Sequence, residues 1–314
     1  MLSRKKVAIS IGDLNGIGIQ LALENHDTVS KLVIPVYCID KEMLKQAAKK
    51  LKLTIPDNFK TIENIASTFK IEAGTVTKES GAYAYASFTT AVELARDKKV
   101  DAICTLPIHK KAWEKAGVNY KGHTDALRDF FDAEAIMMLG CDKMYVGLFT
   151  EHIPLKEVAK AINEKDLTRF FIDFYNTAKP TSTVGVLGLN PHAGDDGVLG
   201  DEERVIQKAI YNATSILTNR CCKGTTPYSD PLVPDVAFTP NVRKYYTHYI
   251  AMYHDQGLAP LKALYFDEGI NVSLNLPILR TSVDHGTAFD IAYKGVKLNN
   301  LSYINAIKYI KESK

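Results

Sequence analysis

The chain of 314 residues lacks any apolar run of about 18 residues, the length that a membrane-spanning helix requires. It also lacks a charge excess, because 39 basic and 36 acidic residues give a formal net charge of +3 without a long block of one sign. The first absence argues against a membrane protein, and the second gives nucleic-acid binding little electrostatic support. We therefore expect a cytoplasmic protein that acts on small molecules, with neither nucleic acid nor a membrane as a partner.

Cysteine is scarce, and the five cysteines show no Cys-x-x-Cys spacing. An odd number without paired spacing fits a reducing compartment better than a disulfide framework. We therefore expect free thiols at all five positions, which are Cys38, Cys104, Cys141, Cys221 and Cys222.

The chain does contain an alternation of short apolar runs and amphipathic segments, which is typical of an α/β fold. Its hydrophobic fraction of 46% can bury a sizeable core, and its length corresponds to about two domains. Strands are predicted at residues 6–11, 100–104, 135–140, 143–149, 183–189, 235–239 and 249–253. Helices are predicted at 16–23, 41–51, 80–98 and 166–178, and from residues 200, 285 and 300 onward.

The loop after the first predicted strand, Gly12 to Gln20, partly matches a dinucleotide-binding fingerprint, and Asp40 lies at a suitable distance downstream. The third glycine of that fingerprint would fall on Leu21, whose side chain would block close packing of helix on strand. We therefore expect no Rossmann cofactor site here. Gly16 and Gly18 are interpreted as loop glycines near a ligand.

Three histidines, His152, His192 and His254, each follow a predicted strand. Three imidazoles are a suitable donor set for a catalytic divalent metal that keeps positions open for substrate. Such a metal would act as a Lewis acid on an alkoxide or a ketone. The wide spacing leaves the alternative open that each histidine is a capped or core residue.

Cationic and amide side chains in the last third of the chain predict a small anionic ligand. Arg280 could bind a phosphate or carboxylate through a bidentate fork, Lys262 as a point charge and Asn271 as an amide donor. The alternative for each cation is a solvated surface charge. His123 and Thr124 stand at a predicted helix N-terminus, where free N–H groups attract anions, although a plain capping role is equally open.

Five segments resemble signature segments of the 4-hydroxythreonine-4-phosphate dehydrogenase family of pyridoxine and pyridoxal phosphate biosynthesis: GLNPHAGDDGVLGDEE, MYHDQGL, GINVSLNLPILRTSVDHGTA, GHTD and TEHIPL. The resemblance extends over nearly the whole chain, and dehydrogenases that act on other substrates share much of it. It implies two α/β domains around a central cleft, similar to isocitrate and isopropylmalate dehydrogenases. The first domain would comprise residues 1–128 and 285–314, and the second, residues 129–284, would carry the metal ligands and a homodimer interface.

The resemblance also implies residue roles. A divalent metal (Zn, Mg or Co) would be bound by His152, His192 and His254 at an active site shared between the two chains, with His254 expected from the chain opposite the other two. The phosphorylated substrate would be bound by His123, Thr124, Lys262, Asn271 and Arg280. NAD or NADP would bind without a Rossmann fingerprint, at residues that the sequence does not identify. The general base stays open, with Asp255, Asp235 and Lys262 as candidates.

The expected reaction is NAD(P)-dependent oxidation of 4-phosphohydroxy-L-threonine to 2-amino-3-oxo-4-phosphooxybutanoate, which decarboxylates to 3-amino-2-oxopropyl phosphate. The alternatives are a related metal-dependent dehydrogenase of another phosphorylated hydroxy acid, a phosphate acyltransferase-like enzyme and a metal-dependent binding protein without catalysis. The family commonly reads Gly-Asp-Pro-x-Gly-Ile-Gly-Pro-Glu where this chain has Leu14, Ile19 and Gln20 in place of the prolines and the glutamate. Loss of proline frees φ and Gln20 removes a negative charge, so we expect this loop to tune substrate choice.

Overall fold

The computed structural model describes residues 4–220 and 226–313, with the backbone alone at residues 219 and 220. Cys221 and Cys222 lie outside the described residues, and Cys38, Cys104 and Cys141 are buried thiols that are not part of a disulfide. Among the helices of the described part, none is long and apolar enough to cross a bilayer.

The secondary structure follows the predicted α/β alternation, and the α/β class is confirmed. The strands are β1 (Lys6–Ser10), β2 (Ile34–Cys38), β3 (Ala102–Thr105), β4 (Ile136–Cys141), β5 (Met144–Leu148), β6 (Val184–Leu187), β7 (Tyr228–Leu232), β8 (His248–Ala251), β9 (Ile270–Leu274) and β10 (Leu279–Val283). The helices are α1 (Gly18–Glu24), α2 (His26–Leu32), α3 (Lys41–Leu51), α4 (Lys78–Arg96), α5 (Lys110–Lys115), α6 (His123–Phe131), α7 (Leu155–Ala161), α8 (Glu164–Ala178), α9 (Glu202–Arg220), α10 (Pro234–Ala237), α11 (Pro240–Arg243), α12 (His254–Tyr265) and α13 (Leu301–Glu312).

The chain divides into two compact units. The first comprises Met1–Glu134 and Asp267–Lys314, and the second comprises Ala135–Phe266. The expected domain boundaries followed residues 128 and 284, which placed residues 267–284 in the second domain. In the structure these residues lie in the first unit. The reason is that this segment contains β9 and β10, and β10 pairs in parallel with β3.

In the first unit the strand order is β2-β1-β3-β10-β9, with β9 antiparallel to β10 and the other neighbours parallel. The carboxyl ends of β1, β3 and β10 therefore lie at one edge of the sheet. Helix α4 packs against β1 and begins where the Thr77 hydroxyl accepts a hydrogen bond from the Ser80 N–H at 3.1 Å. Gly81 lets this helix approach α5, because a Cβ there would lie 2.0 Å from the Ala112 carbonyl oxygen.

In the second unit the order is β4-β5-β8-β6-β7, with β4 and β5 forming an antiparallel pair. Strand β8 pairs in parallel with both β5 and β6, and β6 pairs in parallel with β7. The carboxyl ends of β5, β8 and β6 are therefore neighbours at one edge of this sheet. Ligand sites in parallel sheets lie at that edge.

Two predicted elements are wrong. Residues 235–239 do not form a strand, because Pro234 starts the short helix α10; proline lacks the N–H that a strand donates and favours the first turn of a helix. The helix predicted from residue 285 is absent, since residues 285–300, all described, form turns that include Ala288 and Tyr293 at positive φ. Strand β7 also lies within a stretch that the sequence left without a predicted element.

Candidate functional site

The three histidines predicted to bind a metal each follow the end of a parallel strand in the second unit. His152 comes after β5, His192 after β6 and His254 after β8. Because β8 lies between β5 and β6, all three segments leave the same edge of one sheet. The sequence-based prediction of their positions relative to the strands is confirmed.

Two of these histidines lie side by side. The ring centroids of His152 and His254 are 5.6 Å apart. The Nδ1 atom of His254 is 2.7 Å from a carboxylate oxygen of Asp255, which leaves its Nε2 atom as the nitrogen that can bind a metal. The donor atoms of His152, His192 and His254 do not form a group within 4.8 Å of one another. A single chain therefore places the His152 and His254 rings side by side but does not bring the donor atoms of all three histidines together.

His192 opens a left-handed turn. Residues 192–196 all have positive φ, from 46° at Asp195 to 81° at Gly194. For residues other than glycine this conformation costs about 1–2 kcal/mol each. The surrounding structure must therefore hold the turn in place.

Glu203 on α9 supplies much of that restraint. Its buried carboxylate accepts hydrogen bonds from the Leu189 and Asn190 backbone N–H groups, both at 2.7 Å, and from the Asn190 side-chain amide at 2.9 Å. Gly194 lies against the same group, because a Cβ there would be 2.6 Å from Glu203 Oε2. Glu203, the second glutamate of the GDEE segment, thus anchors the chain just before His192.

Arg280 is the centre of the anion site predicted in the first unit. It lies on β10, is 2% exposed and forms five hydrogen bonds. Its Nε and Nη2 atoms donate to the Thr105 hydroxyl at 3.1 and 2.8 Å, and Nη1 donates to the Ser273 hydroxyl at 3.1 Å. The two longest bonds go to His123 Nδ1 at 3.3 Å and to the Asn271 side-chain oxygen at 3.4 Å.

All of these acceptors are neutral. Within the described parts of the chain, Arg280 makes no ion pair with a carboxylate. Burial lowers the pKa of Arg280 to about 10, so the guanidinium remains charged at neutral pH. A buried cation without a counter-charge is costly, and an anionic ligand would offset that cost.

His123 is the first residue of α6 and is buried among aromatic rings. Its ring centroid is 4.8 Å from Phe88 and 5.4 Å from Trp113. Burial, and then the Arg280 charge, hold the pKa of His123 well below its ordinary 6.5, so the ring is neutral. Because Nδ1 accepts from Arg280, the proton is on Nε2, which is buried and has no partner among the described residues.

The remaining predicted phosphate ligands divide between the units. Asn271 accepts from Arg280 through its oxygen, which leaves its NH₂ group as a donor. Thr124 is the second residue of α6, where the backbone N–H has no intrahelical acceptor. Lys262 lies on α12 in the second unit, with its ammonium 5.8 Å from the centroid of the Phe266 ring. The structure therefore brings His123, Asn271 and Arg280 together directly.

Sequence reasoning missed Thr105 and Ser273, which hold Arg280. A signal for Ser273 was available, because it is two residues from Asn271 and so faces the same side of β9. Thr105 could be marked only as a polar residue at a strand end. Of the general-base candidates, Asp255 is bound to His254 and Asp235 is exposed on α10.

The departures from the family pattern lie inside the first unit. Leu14 and Ile19 are fully buried, and Gln20 is 3% exposed. The Gln20 amide donates to the Glu24 carboxylate at 2.8 Å and to the Val296 carbonyl at 3.0 Å. A glutamate at position 20 would face both groups, so these contacts favour a packing role over the expected effect on substrate choice.

The fold and these two sites define the class of protein. Mostly parallel strands, with a buried guanidinium that has no counter-charge in one unit and histidines after the strand ends of the other, are typical of an α/β enzyme that acts on small molecules. A family model described as "Pyridoxal phosphate biosynthetic protein PdxA" matches residues 31–310.

Individual relatives agree with that match. The 4-hydroxythreonine-4-phosphate dehydrogenase of Sulfurimonas denitrificans is 58% identical, over 98% of this chain and 97% of the relative. The enzyme of that name from Campylobacter fetus is 50% identical, over 98% of both chains. The crystal structure of a 4-hydroxythreonine-4-phosphate dehydrogenase from Burkholderia phymatum superposes with a TM-score of 0.79 at 31% identity, over 98% of both chains. The chain belongs to the PdxA family and is an oxidoreductase of the dehydrogenase class.

Proposed function

We propose that the protein oxidises 4-phosphohydroxy-L-threonine, with NAD or NADP as the oxidant and a divalent metal as a cofactor. The names of its relatives support this substrate, and the family description supports a place in pyridoxal phosphate biosynthesis. The product, 2-amino-3-oxo-4-phosphooxybutanoate, is a β-keto acid that loses CO₂ to give 3-amino-2-oxopropyl phosphate.

The observation that carries the proposal is the buried cluster around Arg280. A phosphate monoester brings about two negative charges near neutral pH, which would offset the unpaired guanidinium. His123 Nε2–H and the Asn271 NH₂ group are donors that have no acceptor of their own among the described residues. The α6 N-terminus at Thr124 adds a backbone donor. All of these groups suit phosphate oxygens better than an uncharged ligand.

The histidines suit a divalent metal. The neighbouring imidazoles of His152 and His254 offer two nitrogen donors, and the hydrogen bond that Nδ1–H of His254 donates to the Asp255 carboxylate is the contact that usually orients such a ligand. His192 is proposed as the third donor. When bound, the metal would supply Lewis-acid stabilisation of the substrate oxygen during oxidation.

We extend the proposal to a homodimer with active sites shared between chains. Within one chain the donor atoms of the three histidines do not form a group within 4.8 Å of one another, which supports donors from two chains. Which histidine comes from the opposite chain stays open, with His254 as the expected one. The general base stays open among Asp255, Asp235 and Lys262.

The oxidation itself removes a hydride from the substrate carbon, which the nicotinamide cofactor accepts, and a proton from its hydroxyl. A phosphate acyltransferase would need the anion cluster but not the histidines, so the geometry favours the dehydrogenase. The names of the relatives favour it as well.

A turnover assay tests the proposal. Purified protein is incubated with 4-phosphohydroxy-L-threonine and NAD or NADP, and reduced nicotinamide is followed by absorbance, with and without a chelator. We expect turnover that the chelator abolishes and that added divalent metal restores. Turnover that persists after complete removal of metal would refute the metal site. Absence of nicotinamide reduction with this substrate and with other phosphorylated hydroxy acids would refute the dehydrogenase.

A further inference from the structure

One small hydrogen-bond network joins the three strand ends that lead to the predicted metal histidines. We call it the strand-end network; its members are Thr150, Gly188, Met252 and Gln256. Each of the first three precedes a histidine by two to four residues, since Thr150 leads to His152, Gly188 to His192 and Met252 to His254. The network therefore spans the ends of β5, β6 and β8.

Gln256 makes the connection between two of these ends. Its side-chain oxygen accepts from the Met252 backbone N–H at 2.7 Å, and its side-chain nitrogen donates to the Gly188 carbonyl at 2.6 Å. The Met252 carbonyl in turn accepts from the Thr150 hydroxyl at 2.7 Å and from the Thr150 N–H at 3.2 Å. The backbone N–H of Met252 thus contacts Gln256, and its carbonyl contacts Thr150 at the end of β5.

The position of Gln256 on α12 is itself fixed by packing. The next residue, Gly257, lies so close to β5 that a Cβ there would be 2.5 Å from Val146 Cγ1. The first turn of α12, which begins at His254, therefore rests directly on the sheet. The backbone of Gln256 is therefore held in place, and its side chain reaches the Gly188 carbonyl from a fixed starting point.

We propose that Gln256 is a positioning residue that fixes the start of the His192 segment relative to the start of the His254 segment, so that each histidine enters its metal site in a set orientation. The primary amide of glutamine offers a separate acceptor for the Met252 N–H and a separate donor for the Gly188 carbonyl, and glutamine has one methylene more reach than asparagine. The proposal rests on the metal site of the proposed function, because its consequence is that Gln256 sets the metal affinity without touching the metal.

The left-handed turn at residues 192–196 does not fix the position of His192 by itself, so the strand-end network contributes by anchoring the chain before the turn. Residues 192–196 adopt backbone conformations that only glycine favours, so the position of His192 depends on what anchors the chain before it. Glu203 fixes Leu189 and Asn190, and Gln256 fixes Gly188. Loss of the Gln256 contact would release the end of β6 from α12 while the Glu203 contact remained.

The test compares Gln256 with a matched glutamine in the first unit. Gln46 also bridges two backbone groups, donating to the Phe69 carbonyl at 2.8 Å and accepting from the Ile71 N–H at 2.6 Å. Gln256→Met and Gln46→Met each remove one donor and one acceptor at similar side-chain length. Gln256→Asn keeps the amide group but shortens its reach by one methylene, so it tests whether the position of the amide matters as well as its presence.

The affinity of the metal-free, full-length protein for Zn²⁺ and Co²⁺ is measured by competition with a chromophoric chelator, and folding is checked by circular dichroism and urea unfolding. Both Gln256 variants are expected to bind metal about 10- to 100-fold more weakly than wild type, the usual effect of removing a group that orients a ligand. Gln46→Met should lose similar stability and keep wild-type metal affinity.

His254→Ala serves as the reference variant. If it loses metal while both Gln256 variants bind as wild type does, the positioning role is refuted and the metal site stands. An equal loss of affinity in Gln46→Met and Gln256→Met would also refute it, since the effect would then follow general destabilisation. If His254→Ala retains metal, the histidine site itself is refuted, and the role of Gln256 with it.

Discussion

Arg280→Lys tests how the anion site works. The substitution keeps the positive charge and replaces a planar group that makes five hydrogen bonds with an ammonium that can make at most three from one atom. The shorter contacts go to Thr105 and Ser273, which are more deeply buried than His123 and the half-buried Asn271. We expect the ammonium to lose the last two.

The magnitude follows from what those two bonds do. They hold His123 with its proton on Nε2 and turn the NH₂ group of Asn271 outward, so both donors are oriented before the substrate binds. If each oriented donor contributes about 1–1.5 kcal/mol, losing both costs about 2–3 kcal/mol. This corresponds to an increase of about 30- to 150-fold in KM for the phosphorylated substrate and in Kd for inorganic phosphate.

The assay measures KM, kcat and the calorimetric Kd for phosphate in wild type, in Arg280→Lys and in the control Arg169→Lys. Arg169 is a half-exposed arginine in an i,i+3 pair with Asp166, so the same substitution there should change none of these values. A loss of kcat with unchanged KM and phosphate affinity would contradict the reasoning. Arg280 would then be a structural cation, and the counter-charge argument would fail.

Three further predictions concern titration and assembly. Burial raises the pKa of Asp13 from 3.8 to about 6, so this carboxyl stabilises the fold most below its unfolded pKa, and that stability is lost as pH rises through about 6. Relative to Asp13→Asn, wild type should therefore lose up to about 3 kcal/mol of unfolding free energy between about pH 4 and pH 7 in urea titrations. Parallel pH profiles of the two proteins would contradict this. Because His123 binds as a neutral donor, KM for the phosphorylated substrate should not rise between about pH 6.5 and pH 8, whereas a rise through this range would indicate a protonated imidazole. After co-refolding, two of the three pairwise mixtures of His152→Ala, His192→Ala and His254→Ala should recover about a quarter of wild-type activity and the third none, and the failing pair identifies the histidines from the same chain; failure of every mixture would place each site within one chain.

The sequence was sufficient where the signal is local. A short apolar run followed by a histidine defines a strand end, so the positions of His152, His192 and His254 relative to β5, β6 and β8 could be predicted without a structure. The start of α6 at His123 follows in the same way from the glycine before it and the amphipathic run after it.

The sequence was insufficient where the outcome depends on distant partners. Thr105 and Arg280 are 175 residues apart, and only the pairing of β3 with β10 brings them together. The same pairing puts residues 267–284 in the first unit. Gln20 was interpreted as a change at the substrate, and nothing in the sequence indicates its contact with the Val296 carbonyl, which is 276 residues away.

Proline and positive φ account for the elements that were wrong. Pro234 starts a helical turn within an apolar run whose periodicity favours a strand, and the missing N–H decides between the two. Residues 285–300 were predicted to start a helix, but Ala288, Tyr293 and Gly295 adopt left-handed conformations that end any helix. A periodicity count does not detect either effect.

The role of the Arg280 cluster in binding phosphate is measured by comparing two substrates that differ only in the phosphate. The initial rate of nicotinamide reduction, with divalent metal present, is determined for 4-phosphohydroxy-L-threonine and for unphosphorylated 4-hydroxy-L-threonine. The three donors proposed at the Arg280 cluster are His123 Nε2–H, the Asn271 NH₂ group and the Thr124 backbone N–H. If each contributes about 1.5 kcal/mol or more toward a charged group, kcat/KM should be at least about a thousandfold higher for the phosphorylated compound. Equal values for the two compounds would contradict the account, because the buried cation would then serve no phosphate.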